Sequence, residues 1–287
     1  METVIKKFNT LHEYNQYLER GETLECFKYY ASSQRDLTSG TDRYTTKRRK
    51  WVGTNTYDEA TDLMLHGDRS LAKKVENAGV ATARVKVNAA RPRAKVVRSM
   101  GGFMPNIPAY LSNSKKQMWR MQKQEVKQRV MTIVYNASVY AGTEADEVIE
   151  TSSKLVQTVM KIEASGTRVN LYCANLTATN IPRNWRTDTP RKVVGTLVKI
   201  KDSGQYLDVL KMCYPLIHPS MHRRQHFRML ELDSDKDFTY CYGYPVQYGK
   251  AVDEAVQECG LRNATVVSFY EINGKSQDEI INLITKK

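Results

Sequence analysis

The stretch from Met131 to Ala174 constrains the fold of this chain more than any other. It begins with an apolar run, MTIVYNASVYAG, continues with the amphipathic segment EADEVIETSSKLVQTVMKIEASG and ends with a second apolar run, RVNLYCA. A strand, a tight loop, a crossover helix and a parallel strand explain this order, because parallel strands need a connection of a dozen or more residues. The sequence therefore predicts a βαβ unit here.

The predicted crossover helix, residues 144–165, has a single apolar face. Its apolar residues recur at spacings of three and four, which is typical of a helix packed on a core. Acidic residues occur near its start and lysines near its end, as the helix dipole favours. Gly166 stands where a C-cap glycine is expected.

Strands and helices continue to alternate after Ala174. A third strand is predicted at Val193–Lys201, and shorter strands at FTYCYGYP and TVVSFYEI. Helices are predicted at QYLDVLKMCYPLI, HPSMHRRQHFRMLEL, VDEAVQECG and SQDEIINLITKK. This alternation predicts a doubly wound α/β domain with a mostly parallel, Rossmann-like sheet over residues 127–287.

Residues 1–126 are interpreted as a separate basic region of mixed α+β structure, with short helices and a basic strand or β-hairpin at residues 83–98. Up to Arg129 the chain contains 25 Lys and Arg against 13 Asp and Glu, whereas the remainder contains 19 against 18. The formal net charge of +13 therefore belongs almost entirely to this region. A helix over Lys115–Gln128 is expected to join it to the α/β domain.

Cysteine usage and hydropathy limit the class of protein. The five cysteines are widely spread, without the spacing of a metal site or a disulfide framework, which indicates a reduced, intracellular setting. The chain starts with charged and polar residues, and no apolar run is long enough to span a membrane. A soluble protein without membrane association is expected.

Two basic segments are candidate polyanion-binding surfaces. In RYTTKRRKW, basic and aromatic residues alternate, which suits phosphate contact and base stacking, although a solvated loop anchored by Trp51 is an alternative. ARVKVNAARPRAKVVR has β character and no acidic residue, and it could bind nucleic acid or an acidic protein. The candidate residues are Lys47, Arg48, Arg49, Lys50, Arg84, Lys86, Arg91, Arg93, Lys95 and Arg98.

The histidine-rich segment after residue 217 allows three interpretations. His218, His222 and His226 are spaced by four residues on one predicted helix, and histidines at that spacing can share a metal. Arg223 and Arg224 could instead hold an anion at the start of that helix. The third interpretation is a structural helix whose arginines pair with nearby acidic residues.

The order of elements after residue 127 resembles the von Willebrand factor A-like fold. That resemblance implies a metal site at the strand ends, formed by Asp-x-Ser-x-Ser in the first loop, a Thr in the second and an Asp in the third. Here the first loop reads Asn136-Ala137-Ser138-Val139-Tyr140, and Tyr242-Gly243-Tyr244 stands in place of the Asp. Because a hard cation needs charged oxygen ligands, the positions Asn136, Ser138, Tyr140 and Gly243 are expected to form a degenerate site without a metal.

Three further motifs resemble an uncharacterised family of tailed-bacteriophage proteins. They are W-x-G-T-x-x-Y-D-E-A (from Trp51), G-x-x-P-x-I-P-A-Y-L (from Gly102) and H-P-S-M-x-R-R-x-x-F (from His218). The resemblance implies a phage protein in the host cytoplasm or the virion, but no particular chemistry.

These patterns favour a non-enzymatic binding or assembly protein without a cofactor. Its α/β domain would be a scaffold for protein interaction, and its basic half would contact nucleic acid or an acidic phage or host protein. No phosphate-binding loop and no Gly-x-Ser-x-Gly elbow occurs in the sequence. The alternative is a nuclease or hydrolase that uses Ser138, Asp202 and His218 at the strand ends. A third possibility is a divalent-cation site rebuilt from Asn136, Ser138 and Asp202.

Overall fold

The computed structural model describes residues 1–20, 51–82, 95–122, 129–140, 142–184, 186, 188–233, 242–247 and 249–286. Two sheets lie within these residues. The central sheet has six strands and the other sheet has three.

The central sheet has the order β1-β7-β6-β5-β9, and β8 pairs with the end of β6. Its strands are β1 (Glu2–Phe8), β5 (Val130–Asn136), β6 (Arg168–Ala178), β7 (Lys192–Lys201), β8 (Tyr244–Pro245) and β9 (Ala264–Ser268). The pairs β5–β6, β5–β9 and β1–β7 are parallel. The predicted mixed α/β architecture with a mostly parallel sheet is therefore present.

The central βαβ unit is confirmed. The crossover helix α5 (Ala145–Ala164) follows β5 and leads into β6. Gly166 has a φ of 88°, a left-handed conformation that glycine adopts without steric cost. The prediction from the apolar periodicity of residues 131–174 was therefore correct.

Strand β7 runs antiparallel to β6, which reverses the direction expected for it. Ala174 is opposite Leu197, and Leu171 is opposite Lys201. The connection between the two strands has no helix in its described residues, so the chain turns back instead of crossing over the sheet. As a result, the end of β7 lies at the edge opposite to the end of β5.

Helices cover both faces of the central sheet. One face carries two apolar clusters that join the sheet to most of the helices. The other face is covered by α8 (Lys250–Glu258), which buries Ala251, Val252, Ala255 and Val256. The remaining helices are α1 (Leu11–Arg20), α2 (Tyr57–His66), α3 (Arg69–Thr82), α4 (Ile107–Leu111), α6 (Val209–Ile217), α7 (Phe227–Asp233), α9 (Phe269–Ile272) and α10 (Gln277–Lys286).

The N-terminal residues belong to the same core as the α/β region. Strand β1 pairs with β7 along its whole length. Leu71 and Val75 of α3 pack in one cluster with Ile133 of β5. The predicted boundary at residue 126 therefore divides one sheet and one hydrophobic core.

The three-stranded sheet replaces a predicted helix. It has the order β2-β4-β3, with β2 at Lys95–Ser99, β3 at Met104–Pro105 and β4 at Met118–Gln122. The helix expected over Lys115–Gln128 is wrong for its described part, because β4 pairs antiparallel with both β2 and β3. Together with α4 these strands form residues 95–122, which we call the β arm.

Close backbone packing inside the β arm leads to a first prediction. A Cβ added to Gly102 would lie 1.9 Å from the Trp119 carbonyl oxygen, whereas a Cβ on Gly101 would meet no atom within 4 Å. Gly102→Ala should therefore separate β3 from β4 and speed trypsin cleavage at Lys116 and Arg120 about tenfold or more, the factor that corresponds to about 1.4 kcal/mol. Gly101→Ala is the control and should leave the rate unchanged. Equal rates for the two variants would contradict the pairing.

Candidate functional site

Two positions of the degenerate metal site, Asn136 and Ser138, lie at the end of β5 and are buried. Asn136 Nδ2 donates a hydrogen bond of 2.7 Å to the Val246 carbonyl, and Asn136 Oδ1 accepts the Ser138 N–H at 3.3 Å. Ser138 Oγ accepts the Leu176 N–H at 2.7 Å. Both side chains are fully buried, so they connect β5 to its neighbouring segments instead of facing a ligand.

The other two positions of this site also have structural surroundings. The Tyr140 N–H donates to the Tyr270 hydroxyl at 2.8 Å. Gly243 has a φ of 72° and follows Tyr242, whose ring stacks on Phe227 with centroids 4.0 Å apart. Among the residues that the structure describes, no group of three or more His, Cys, Asp or Glu side chains could hold a metal ion.

The structure does not bring together the residues of the hydrolase alternative. Ser138 follows β5, whereas Asp202 follows β7, which ends at the opposite edge of the sheet. Asp202 is bound to Lys199 at 2.7 Å, and His218 Nδ1 accepts the Ser220 N–H at 3.1 Å. The triad of Ser138, Asp202 and His218 is therefore wrong as a catalytic group, because the strand direction separates its members. The same separation excludes a cation site shared by Asn136, Ser138 and Asp202.

A polar cleft of about 950 Å³ lies where the parallel strands β1 and β7 end. The Gly204 N–H and the Lys199 ammonium hold the pKa of Asp202 below its usual value, so this carboxylate stays charged and paired. Tyr206 is 90 % exposed at the cleft. The lining also includes His12, His66 and Lys211. The ends of parallel strands commonly bind ligands, but the paired charges of Lys199 and Asp202 leave this cleft little net charge with which to hold an ion.

The histidine-rich segment is buried and forms a π-helical turn, Met221–His226. His222 Nδ1 lies 3.3 Å from Asn175 Oδ1, and His226 Nε2 lies 2.7 Å from Thr177 Oγ1. Burial lowers the pKa of His226 from 6.5 to about 3 and that of His218 to about 4. All three histidines are thus neutral side chains, and His222 and His226 anchor the turn on β6.

The two arginines of the same turn are held by neighbouring residues. Arg224 is buried, and it donates from Nε to Thr54 Oγ1 at 2.7 Å and from Nη2 to the Thr54 carbonyl at 2.8 Å. The Arg223 guanidinium lies between the rings of Trp51 and Phe227, 4.7 and 5.1 Å from their centroids. Arg224 therefore cannot contribute to a surface anion site. These contacts favour a structural helix, but they join its arginines to Thr54 and to two aromatic rings and not to the acidic residues that the sequence suggested.

Of the ten candidate basic residues between Lys47 and Arg98, the structure describes two, and both lie on the surface of the β arm. Lys95 and Arg98 are exposed on β2, and Lys115, Lys116 and Arg120 are exposed in the same unit. The β arm contains no acidic residue. The other predicted basic residues, Lys47, Arg48, Arg49, Lys50, Arg84, Lys86, Arg91 and Arg93, lie outside the described residues.

The β arm also exposes apolar side chains to an unusual extent. Eight of the thirteen large hydrophobic residues that are exposed among the described residues lie in it. They are Val96, Met100, Phe103, Met104, Ile107, Tyr110, Leu111 and Met121. Exposed apolar side chains concentrated in one unit mark an interaction site more often than scattered single ones do. Sequence reasoning did not predict this feature, because a large apolar residue in a sequence is normally expected to be buried.

Comparison with known proteins places the chain in one family. Residues 2–285 match the family described as Domain of unknown function (DUF7192). The chain belongs to this family. No curated protein and no solved structure matches it. The DUF7192 match spans both sides of residue 126, as the continuous sheet does. No helix among the described residues is long and apolar enough to cross a membrane.

Proposed function

We propose that this protein is a non-enzymatic binding or assembly protein that contacts a polyanionic partner through the β arm. The observation that carries the proposal is the combination, in one small sheet, of exposed cations and exposed apolar side chains without any acidic residue. The β arm contains five Lys and Arg residues and no Asp or Glu, so this surface attracts anions and repels cations.

The α/β domain would act as the scaffold that presents the β arm. Its βαβ unit supports the proposed likeness to the von Willebrand factor A-like fold, and the buried Asn136 and Ser138 support a scaffold whose metal positions are degenerate. The resemblance of the Trp51, Gly102 and His218 motifs to tailed-phage proteins supports a phage origin and a place in the host cytoplasm or the virion. The partner would then be nucleic acid or an acidic phage or host protein.

A charge-reversal experiment tests the role of the β arm. Wild-type protein should bind duplex DNA or poly-glutamate at about 50 mM salt and lose affinity steeply as salt rises, because binding releases counterions. Lys95→Glu, Arg98→Glu and Arg120→Glu combined should weaken binding at least about tenfold, or about 1.4 kcal/mol, in fluorescence anisotropy.

The control variant reverses the same number of positive charges on another surface. Arg69, Lys73 and Lys74 are exposed on α3, and their combined replacement by Glu should leave most of the affinity intact. If both triple variants lose affinity equally, net charge and not the β arm drives binding. If wild type binds neither polyanion, the proposed function is wrong.

A further inference from the structure

We infer that the partner of the β arm is an acidic protein surface with apolar anchor residues, rather than nucleic acid. The inference rests on the proposed function, since it names the partner class for the same surface. Three features of the β arm carry it, namely its inverted helix, the composition of its exposed sheet face and its charge.

The short helix α4 has its polarity inverted. Ile107, Tyr110 and Leu111 stand at spacings of three and four, which places them on one side of the helix, and all are between 65 % and 78 % exposed. Ala109 and the N-cap Asn106 are buried instead. A surface helix normally turns its large apolar residues inward. This helix therefore presents an apolar ridge that a partner can cover.

One face of the three-stranded sheet is also apolar. Because Val96 is opposite Met121 and Trp119 is opposite both Arg98 and Met104, these five side chains point to the same side. Val96, Met104 and Met121 are exposed on it. Methionine side chains adapt to irregular protein surfaces, and aliphatic side chains gain free energy by excluding water from a partner of the same kind.

This composition fits a protein better than a nucleic acid. Single-stranded nucleic acids bind by stacking bases on exposed aromatic rings. Of the eight exposed apolar side chains of the β arm, only Phe103 and Tyr110 are aromatic, and the half-buried Trp119 ring has the Arg98 guanidinium 5.8 Å from its centroid. The cations are distributed over both faces, since Arg98 points to one side and Lys95 and Arg120 to the other. They do not form the single basic track that follows a phosphate backbone.

Charge also argues against a second copy of this chain as the occupant. The β arm has five Lys and Arg residues and no acidic residue, so two β arms would repel each other. A partner that supplies carboxylates around apolar anchors would neutralise these cations and cover the apolar side chains of α4 and the sheet. Apolar anchors at the centre and charges at the rim are the usual arrangement of a protein interface.

The test compares three probes with the full-length protein. They are a random copolymer of glutamate and tyrosine, poly-glutamate of matched length, and mixed-sequence duplex DNA, each at about 0.15 M salt, where surface charges are largely screened beyond about 8 Å. The copolymer should bind at least about tenfold more tightly than poly-glutamate, because only the copolymer offers apolar groups. Ile107→Ser combined with Leu111→Ser should abolish this preference while keeping the affinity for poly-glutamate.

Ile181→Ser is the matched control, since Ile181 is a 51 % exposed isoleucine outside the β arm, and it should keep the preference. Equal affinity of wild type for the copolymer and poly-glutamate would overturn the inference. So would tighter binding of duplex DNA than of the copolymer, an outcome that leaves the proposed polyanion-binding function intact. Failure to bind all three probes would overturn both.

Discussion

Replacing Glu163 by glutamine is expected to lower the free energy of unfolding by about 3 kcal/mol. Glu163 Oε1 lies 2.6 Å from Lys201 Nζ, and their side chains are only 9 % and 2 % exposed. The same oxygen accepts the Val169 N–H at 3.0 Å, so the carboxylate joins the end of α5 to β6 and β7. Glutamine keeps the shape but leaves the Lys201 ammonium buried without its counter-charge. Urea unfolding at pH 7 measures the loss.

Two further variants identify the cause of this loss. Glu150→Gln removes a carboxylate from the exposed side of the same helix, where it pairs with Lys154 at 2.8 Å, and should leave the urea midpoint unchanged. Glu163→Leu combined with Lys201→Met should recover most of the stability, because no uncompensated charge remains buried. Equal midpoints for Glu163→Gln and Glu150→Gln would show that the buried pair does not stabilise the fold.

The sequence predicted those elements whose apolar pattern extends over many consecutive residues. The apolar stripe of α5, its glycine C-cap and the flanking apolar runs all have short-range causes, so β5, α5 and β6 were located correctly. The N-cap of α2 has an equally local cause, since Thr56 Oγ1 accepts the Glu59 N–H at 3.1 Å. Capping depends on residues three positions apart, and a single sequence contains that information.

The sequence failed where distant pairing decides the structure. Lys115–Gln128 contains many helix-forming residues, yet Met118–Gln122 became a strand because β2 and β3 hydrogen-bond to it from both sides. The β1 strand was missed, although its Thr3, Val4 and Ile5 have high β propensity and could have indicated it. No local pattern shows which strand a segment will join.

The same limit affected the candidate sites. The hypothesis that Ser138 and Asp202 lie at one edge of the sheet required β7 to run parallel to β6. The two strands are antiparallel, because the described part of their connection contains no crossover helix. The sequence does not indicate whether a basic residue will be buried or exposed. Arg224 is 4 % exposed and bound to Thr54, whereas Arg98 is exposed on the β arm. Charge predicted a class of partner, and only the packing showed which cations can reach it.

Acidification from pH 7 to pH 5 is expected to remove about 2 kcal/mol of stability through His226 alone. His226 is fully buried, and burial lowers its pKa from 6.5 to about 3. Because the folded-state pKa is the lower one, the unfolded chain takes up the proton first. The stabilisation is therefore complete above about pH 6.5 and is lost progressively as the pH falls toward 3. Burial first, and then the proximity of His226 and of the Arg223 guanidinium, also lowers the pKa of His222, so the wild-type loss should exceed this share.

His226→Gln should reduce the difference in unfolding free energy between pH 7 and pH 5 by about 2 kcal/mol. Glutamine can still bond to Thr177 Oγ1, which His226 Nε2 contacts at 2.7 Å. Urea titrations at both pH values measure the difference, and this comparison cancels any constant cost of the substitution. His12→Gln, at an exposed site on α1, should keep the wild-type difference. An unchanged difference in His226→Gln would mean that the pKa of His226 is the same in the folded and unfolded chains, so that His226 is not the neutral anchor that its contacts indicate.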